Sequence, residues 1–433
     1  MFSVKTYQRR RAELARQMGH GVAVIPTAPE RARNRDSHYP FRFDSAFHYL
    51  TGFPEPEAVL VLVADGKKSK SLLFCRDRDE EREIWDGFRY GPKKAAKAFG
   101  VDEAHSFGQL DEMLPKLLAD RRALYFHLGA DSHWDERTMD WLKKVRQMRG
   151  VEAPPEIRDV AQITDEMRVH KDGDELDTMR RAADIAAAAH RRAMAATRPG
   201  RWEYEVEAEL IYEFRRQGAQ APAYPSIVAG GAHACVLHYV ENDAKLKNGD
   251  LLLIDAGCEV DGYASDITRT FPVSGKFSGP QKDLYQLVLA AQAAAIAKAK
   301  PGLRWDRMHE AAVKVLAQGF VDFGLCRGSV DAVIESGDYK RFYMHRTGHL
   351  LGLDVHDVGR LQTEGKWRKL EPGMTLTVEP GCYVRPGEGV PKAFWNIGIR
   401  IEDDVAITAK GCEVLSKDAP KTVAEIEEWV GRS

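Results

Sequence analysis

The chain has 433 residues, too many for one ordinary hydrophobic core, so two domains are expected. With 44% hydrophobic and 30% charged residues it reads as a soluble globular protein, neither disordered nor fibrous. The formal net charge is −2, with no long block of one sign, which argues against nucleic acid or an anionic membrane as the main partner.

The opening stretch MFSVKTYQRRRAEL carries positive charge but no apolar run behind it, so no signal peptide is expected. No apolar run approaches the ~18 residues of a membrane span. The six cysteines are scattered without a CxxC pair, as suits free thiols in a reducing cytoplasm. In the first half, GVAVIPTAP, AVLVLVADG and SLLFCRD read as strands closed by turn residues, and LDEMLPKLLADRR as a helix. These predict an α/β domain over 1–168 without an obvious cluster of metal-type ligands.

From Lys171 the character changes. Asp172, with Glu175 three positions on, predicts a helix start for DELDTMRRAADIAAAAHRRAMAAT, and the second domain is expected over 169–433. This half holds a weak repeat. Each copy has an Ala-rich helix ending in Pro-Gly (199–200, 301–302), a second helical pattern opening on Trp (202, 305), a histidine-bearing segment, and a strand carrying an acid. NGDLLLIDAG aligns over PGMTLTVEPG, matching Asp255 with Glu379, and Asp266 and Glu402 each lie four residues after a glycine (Gly262 and Gly398). The pattern predicts an α+β domain with a pseudo-twofold repeat whose seam gathers both acid pairs.

Asp255 and Glu379 terminate apolar strand patterns, where an unpartnered carboxylate is expensive to bury. In GIRIEDDVAIT, alternation places Arg400, Glu402 and Asp404 on one face. Four carboxylates brought together repel one another and raise their own pKa values, and divalent cations remove that penalty. Separately solvated acids are the plainer reading of any one of them; matched positions in two halves favour the joint site. His345, His349 and His356 lie in the Gly-rich stretch MHRTGHLLGLDVHDVG, and His238 in GGAHACVLHYVEND. The spacing of His345 and His349 is equally that of one helical face.

IDAGCEVDGYASDITRTFPV, HRTGHLLGLDVHD, TVEPGCYV and GIRIEDD together resemble the pita-bread metallopeptidase family, which includes methionine aminopeptidases, prolidases and aminopeptidase P. ARNRDSHYPFRFDSAFHYLTGFPEPEAVLVL and EIWDGFRYGP resemble the N-terminal domain of aminopeptidase P, which methionine aminopeptidases lack.

The resemblance implies a metal ligand set of Asp255, Asp266, His349, Glu379 and Glu402. It assigns Asp266, His349 and Glu379 to one ion and Asp255 to the other, with Asp266 and Glu402 bridging. The implied cofactor is two divalent ions, Mn²⁺ above Co²⁺ or Zn²⁺, as suits an oxygen-rich site. The implied reaction releases the first residue from Xaa-Pro peptides by attack of a metal-bridging hydroxide. His238, His345 and His356 would surround the substrate, and Glu379 would shuttle the proton. Arg400 and Tyr383 would wall the proline pocket or support it, coupled to Asp36. Trp85 would reach the site of a neighbouring subunit in a homo-oligomer, a dimer or tetramer, although it reads equally as an ordinary core or surface Trp. Arg346 and Ala46 depart from the family pattern and bear on substrate access rather than on the ligands.

Three competing readings remain from the sequence: a prolidase using the same ions on dipeptides, a non-catalytic pita-bread module that binds partners, and a metal-free hydrolase of the creatinase type. Retention of all five ligands disfavours the last two.

Overall fold

In the computed structural model, which describes residues 2–432, the chain divides into two compact units, 1–168 and 169–433. The first is built on a mixed six-stranded sheet. His20–Pro26 pairs antiparallel with Val59–Asp65, and that strand with Lys68–Cys75, which runs parallel to Glu103–Ser106. On the other side Ala123–Tyr125 and Glu156–Arg158 extend the sheet in parallel. Val22, Val24, Val61 and Phe74 pack under the helices Leu110–Leu118 and Ser132–Gln147, through Leu110, Leu114, Leu118 and Trp141. The uninterrupted apolar strands of this half are the expected signature of a sheet whose strands are buried.

The second unit starts on a helix with a full capping box: the Asp172 side chain takes the Glu175 N–H, and the Glu175 carboxylate takes the Asp172 N–H. Its two halves follow one plan. Helices Gly173–Ala196 and Glu203–Arg216 precede the antiparallel pair Leu251–Asp255 and Thr268–Pro272. Helices Gly279–Ile296 and Asp306–Asp322 precede the antiparallel pair Thr375–Val378 and Asp403–Ile407. The alanines of the first helix, among them Ala182, Ala186 and Ala193, are fully buried and let it lie close on the sheet layer.

One sequence expectation needs correction. The segment around Glu402 is not one strand: Ile397–Arg400 pairs with Gly381–Val384, and Asp403–Ile407 pairs with Thr375–Val378. Pro380 lies between the two partner strands and has no N–H for a ladder, so the pairing changes sheets at Glu379-Pro380 and again at Ile401-Glu402. The glycines used to align the halves also differ in role. Gly262 is a left-handed turn residue (φ +82°), whereas Gly398 lies inside a strand.

Candidate metal centre

All four acids sit at the ends of the paired strands. Asp255 closes its strand opposite Thr268, and Asp266 lies two residues before that partner. Glu379 directly follows Val378, which pairs with Asp403, and Glu402 directly precedes Asp403. The seam between the halves is tied by Glu402 N–H donating to Thr268 O (3.1 Å) and by Thr268 Oγ1 donating to Glu402 Oε2 (2.6 Å).

His349 enters from a segment that runs beside Thr375–Val378. Residues 345–349 form no helix, so the helical-face reading of His345 and His349 fails. Instead Glu379 N–H donates to Thr347 O (2.9 Å), and Thr377 N–H donates to His349 O (3.0 Å). A Cβ at Gly348 would stand 2.1 Å from Thr377 O, so only glycine allows this approach. His349 Nδ1–H donates to Leu350 O (2.9 Å), which turns Nε2 towards Asp266 (3.4 Å) and Glu379 (3.7 Å). A backbone carbonyl fixing one ring nitrogen so that the other faces a site is the usual support of a metal-binding imidazole.

The ligand atoms of Asp266, His349 and Glu402 lie within 4.8 Å of one another. Asp255 joins them through Tyr224, whose hydroxyl bonds both Asp255 Oδ1 (2.6 Å) and Asp266 Oδ1. All five expected ligands are therefore brought together.

Electrostatics tests whether a cation fits. Burial, reinforced by Asp266, Glu379 and Asp255, pushes the Glu402 carboxyl well above the carboxylate range. Burial and Asp255 also raise Asp266, and burial lifts Glu379 to about 7. Burial would raise Asp255 too, but Arg400 and Tyr224 outweigh it and hold that group low. Burial opposes charge on His349, yet Asp266 and Glu379 raise its imidazole to about 9. A hard, oxygen-rich cluster under this much mutual repulsion is what a divalent cation relieves, so the residues fit one.

The other expected residues divide into two groups. His345 Nδ1–H donates to Arg346 O (2.8 Å), leaving Nε2 for the Tyr383 hydroxyl (2.9 Å), and Nδ1 is 3.7 Å from Glu379. His356 stacks edge-on to His349 at 4.3 Å. His238 is exposed in the loop after Gly231–Cys235, close enough for its charge to bear on both His345 and His356. Arg400 is buried, with its guanidinium donating to Asp255 Oδ2 (2.5 Å), Tyr383 OH (3.0 Å) and Thr268 Oγ1 (3.1 Å). With those donors directed inward, Arg400 and Tyr383 support the cluster. Elsewhere, Trp85 is 84% exposed on the short helix Glu80–Asp86 of the first unit, and Asp36 is exposed in a turn of that unit.

Several neighbours escaped sequence reasoning. Tyr224 bridges two acids; Thr268 holds Glu402; Asp404 accepts the Asp266 N–H at 3.1 Å; Thr347 bonds both His309 (2.9 Å) and Tyr343 (2.6 Å). Alternation sets Asp404 beside Glu402 along a single strand, which the structure divides, so it gave no guide to the bond with Asp266.

The profile of metallopeptidase family M24 matches residues 177–409, which contain all of these acids. The chain belongs to that family. Residues 7–125 match the aminopeptidase P N-terminal domain, so the fold is that domain followed by the pita-bread unit of the M24 family. A Xaa-Pro aminopeptidase of Escherichia coli is 44% identical, covering 98% of this chain and 97% of the relative. One of Haemophilus influenzae is 43% identical, covering 97% and 96%. Among solved structures, an aminopeptidase of Pseudomonas aeruginosa superposes with a TM-score of 0.97 at 51% identity, covering 99% of this chain and 98% of that one. Zinc-substituted aminopeptidase P of E. coli in complex with product gives 0.97 at 43%, over the same shares. As a member of M24 the chain is a metallopeptidase, and the buried cluster matches a divalent-metal site. Among the described residues no helix is long and apolar enough to cross a membrane.

Proposed function

We propose that this chain is an Xaa-Pro aminopeptidase that releases the first residue from peptides with proline in second position. The observation that carries the reading is the convergence of Asp255, Asp266, His349, Glu379 and Glu402 at one buried seam, in a chain similar over nearly its whole length to named Xaa-Pro aminopeptidases. Those five side chains would hold two divalent cations, manganese by preference. When bound, they supply Lewis-acid polarisation of the scissile carbonyl and acidification of water.

The protein's own groups do the rest. Glu379, 3.7 Å from both His349 and His345, is the carboxylate placed to pass a proton to the leaving prolyl nitrogen. His238 and His356 donate to the carbonyl oxygen as charge develops there. Burial and the nearby Arg400 hold His345 at about 4, so it meets the substrate as a neutral imidazole. Arg400 fixes Asp255 and, through Tyr383, His345.

The exposed pair Ile84 (81%) and Trp85 (84%) supports assembly into a homo-oligomer in which Trp85 meets a neighbouring subunit. Six free thiols support a cytoplasmic setting. The deciding assay compares Xaa-Pro dipeptides with Xaa-Pro-Xaa tripeptides, with and without added Mn²⁺. Tripeptide cleavage that requires the metal is expected; cleavage of the dipeptide alone would make the protein a prolidase.

A further inference from the structure

The loop that carries His238 is held by one buried carboxylate, beside Asn242, which bonds Val228 and Ser226, and Arg385, which donates to Cys235 O. Glu203 opens the helix Glu203–Arg216 and is 1% exposed. Its Oε1 accepts from Gly230 N–H (2.8 Å) and from His233 Nδ1 (3.2 Å). Its Oε2 accepts from the Tyr239 hydroxyl (2.8 Å) and from Ala244 N–H (2.9 Å). The Glu203 N–H in turn donates to Ala244 O (2.9 Å). One side chain thus grips residues 230 and 244, the two ends of the loop, and 233 and 239 within it.

Four donors converge on two oxygens. A carboxylate accepts from all four; an amide of the same shape has one accepting oxygen and turns N–H groups against donors. The grip matters most at His238. Its neighbour Tyr239 is buried at 7% and hangs on Glu203 through its hydroxyl, while Val236 and Val240 are 46% and 48% exposed and anchor little. The second half of the unit has a matching device: His309, near the start of the helix Asp306–Asp322, bonds Thr347 in the segment that carries His345 and His349.

We propose that Glu203 is a positioning residue for the reaction, acting through Tyr239 and the loop ends to set where His238 meets the substrate. The proposal rests on the substrate-binding role given to His238 above. Mispositioning of a substrate-contacting group by ~1 Å costs about 10²-fold in rate, so Glu203→Gln is expected to lower kcat/KM on an Xaa-Pro tripeptide by about that factor.

The test is a double-mutant cycle with His238→Ala, on the manganese-loaded protein, alongside hydrogen exchange over residues 230–244. Glu203→Gln should speed exchange in that loop and lower kcat/KM in the parent, yet change kcat/KM less than about twofold when His238 is already alanine. Tyr239→Phe, which removes one donor and leaves the carboxylate, repeats the cycle with a smaller loss should Glu203→Gln fail to fold. Equal losses with and without His238 would overturn the positioning role. A His238→Ala protein with parental kcat/KM would instead overturn the reading of His238, a separate failure.

Discussion

Glu379 and Arg269 show how differently two buried charges serve one site. Glu379 faces His349 and His345, and its pKa near 7 comes from burial. Glu379→Ala should cut kcat by at least about 10²-fold while leaving a folded protein, as judged by steady-state rates beside circular dichroism. Near-parental turnover would remove it as the proton carrier. Arg269 never meets the substrate side. Fully buried, it donates to Asp403 Oδ1 (2.7 Å) and to the carbonyls of Glu402 (2.5 Å) and Pro420 (2.9 Å), bracing the backbone that presents Glu402. Asp403 is also held by Lys421 (2.5 Å) and Ser416 (2.7 Å). Breaking a buried pair by removing one partner costs about 3–5 kcal/mol, so Arg269→Met should lower stability to urea by that amount. A loss below about 1 kcal/mol would mean that Lys421, Ser416 and Gln292 satisfy Asp403 without it.

Among the elements, the first long helix of the metallopeptidase unit contributes a pH-dependent contact. His190 on Gly173–Ala196 is fully buried, with Nε2 at 3.1 Å from Ala256 O, the residue after Asp255. Burial, with Arg269 adding to it, lowers its imidazole from 6.5 to about 4. The unfolded chain therefore takes up a proton below pH 6.5 that the folded chain refuses until about pH 4. Stability is undiminished above 6.5, falls as the pH drops through that window, and levels off below it, by roughly 3 kcal/mol in all. Urea titrations from pH 4 to 7.5 should show that slope in the parent and a shallower one in His190→Gln; parallel curves would exclude His190 as its source.

The helices themselves were legible, because Ala-rich periodicity and an Asp-x-x-Glu start act within a few residues of one another. The change of sheet at Pro380 was not. Alternation describes a strand against one partner, and it says nothing about a chain that leaves one sheet for another.

For the whole molecule, the carboxylate cluster links folding to metal. The folded seam holds Asp266, Glu379 and Glu402 against their mutual repulsion, so a cation that binds there stabilises the folded state by mass action. Saturating Mn²⁺ should raise the melting temperature by about 5–10 °C over chelator-treated protein at pH 7.5. The gain should shrink at pH 5, where the raised carboxyls keep protons that the metal must displace. Differential scanning calorimetry reads both, and an unchanged melting temperature at pH 7.5 would count against the cluster as a metal centre.

The acids of the cluster could be read from the chain because Asp255 and Glu379 each close an apolar strand and Asp266 and Glu402 follow at matched positions, in a pattern that occurs twice. Burial cost and repetition are both written locally. Tyr224, Thr268 and Asp404 could not be read, since their partners Asp266 and Glu402 lie 42, 134 and 138 residues away along the chain. A hydroxyl or a carboxylate gains its meaning there from the group that folding sets against it. Composition, periodicity and the doubled acid pattern determined by themselves the expectation of two units and of paired acids at one seam, while the full ligand set with His349 came with the family resemblance. Which oxygen faces which nitrogen, and the hold of Glu203 on the His238 loop, were decided only by tertiary structure, because hydrogen bonds act over a few ångströms of space and leave no mark in spacing.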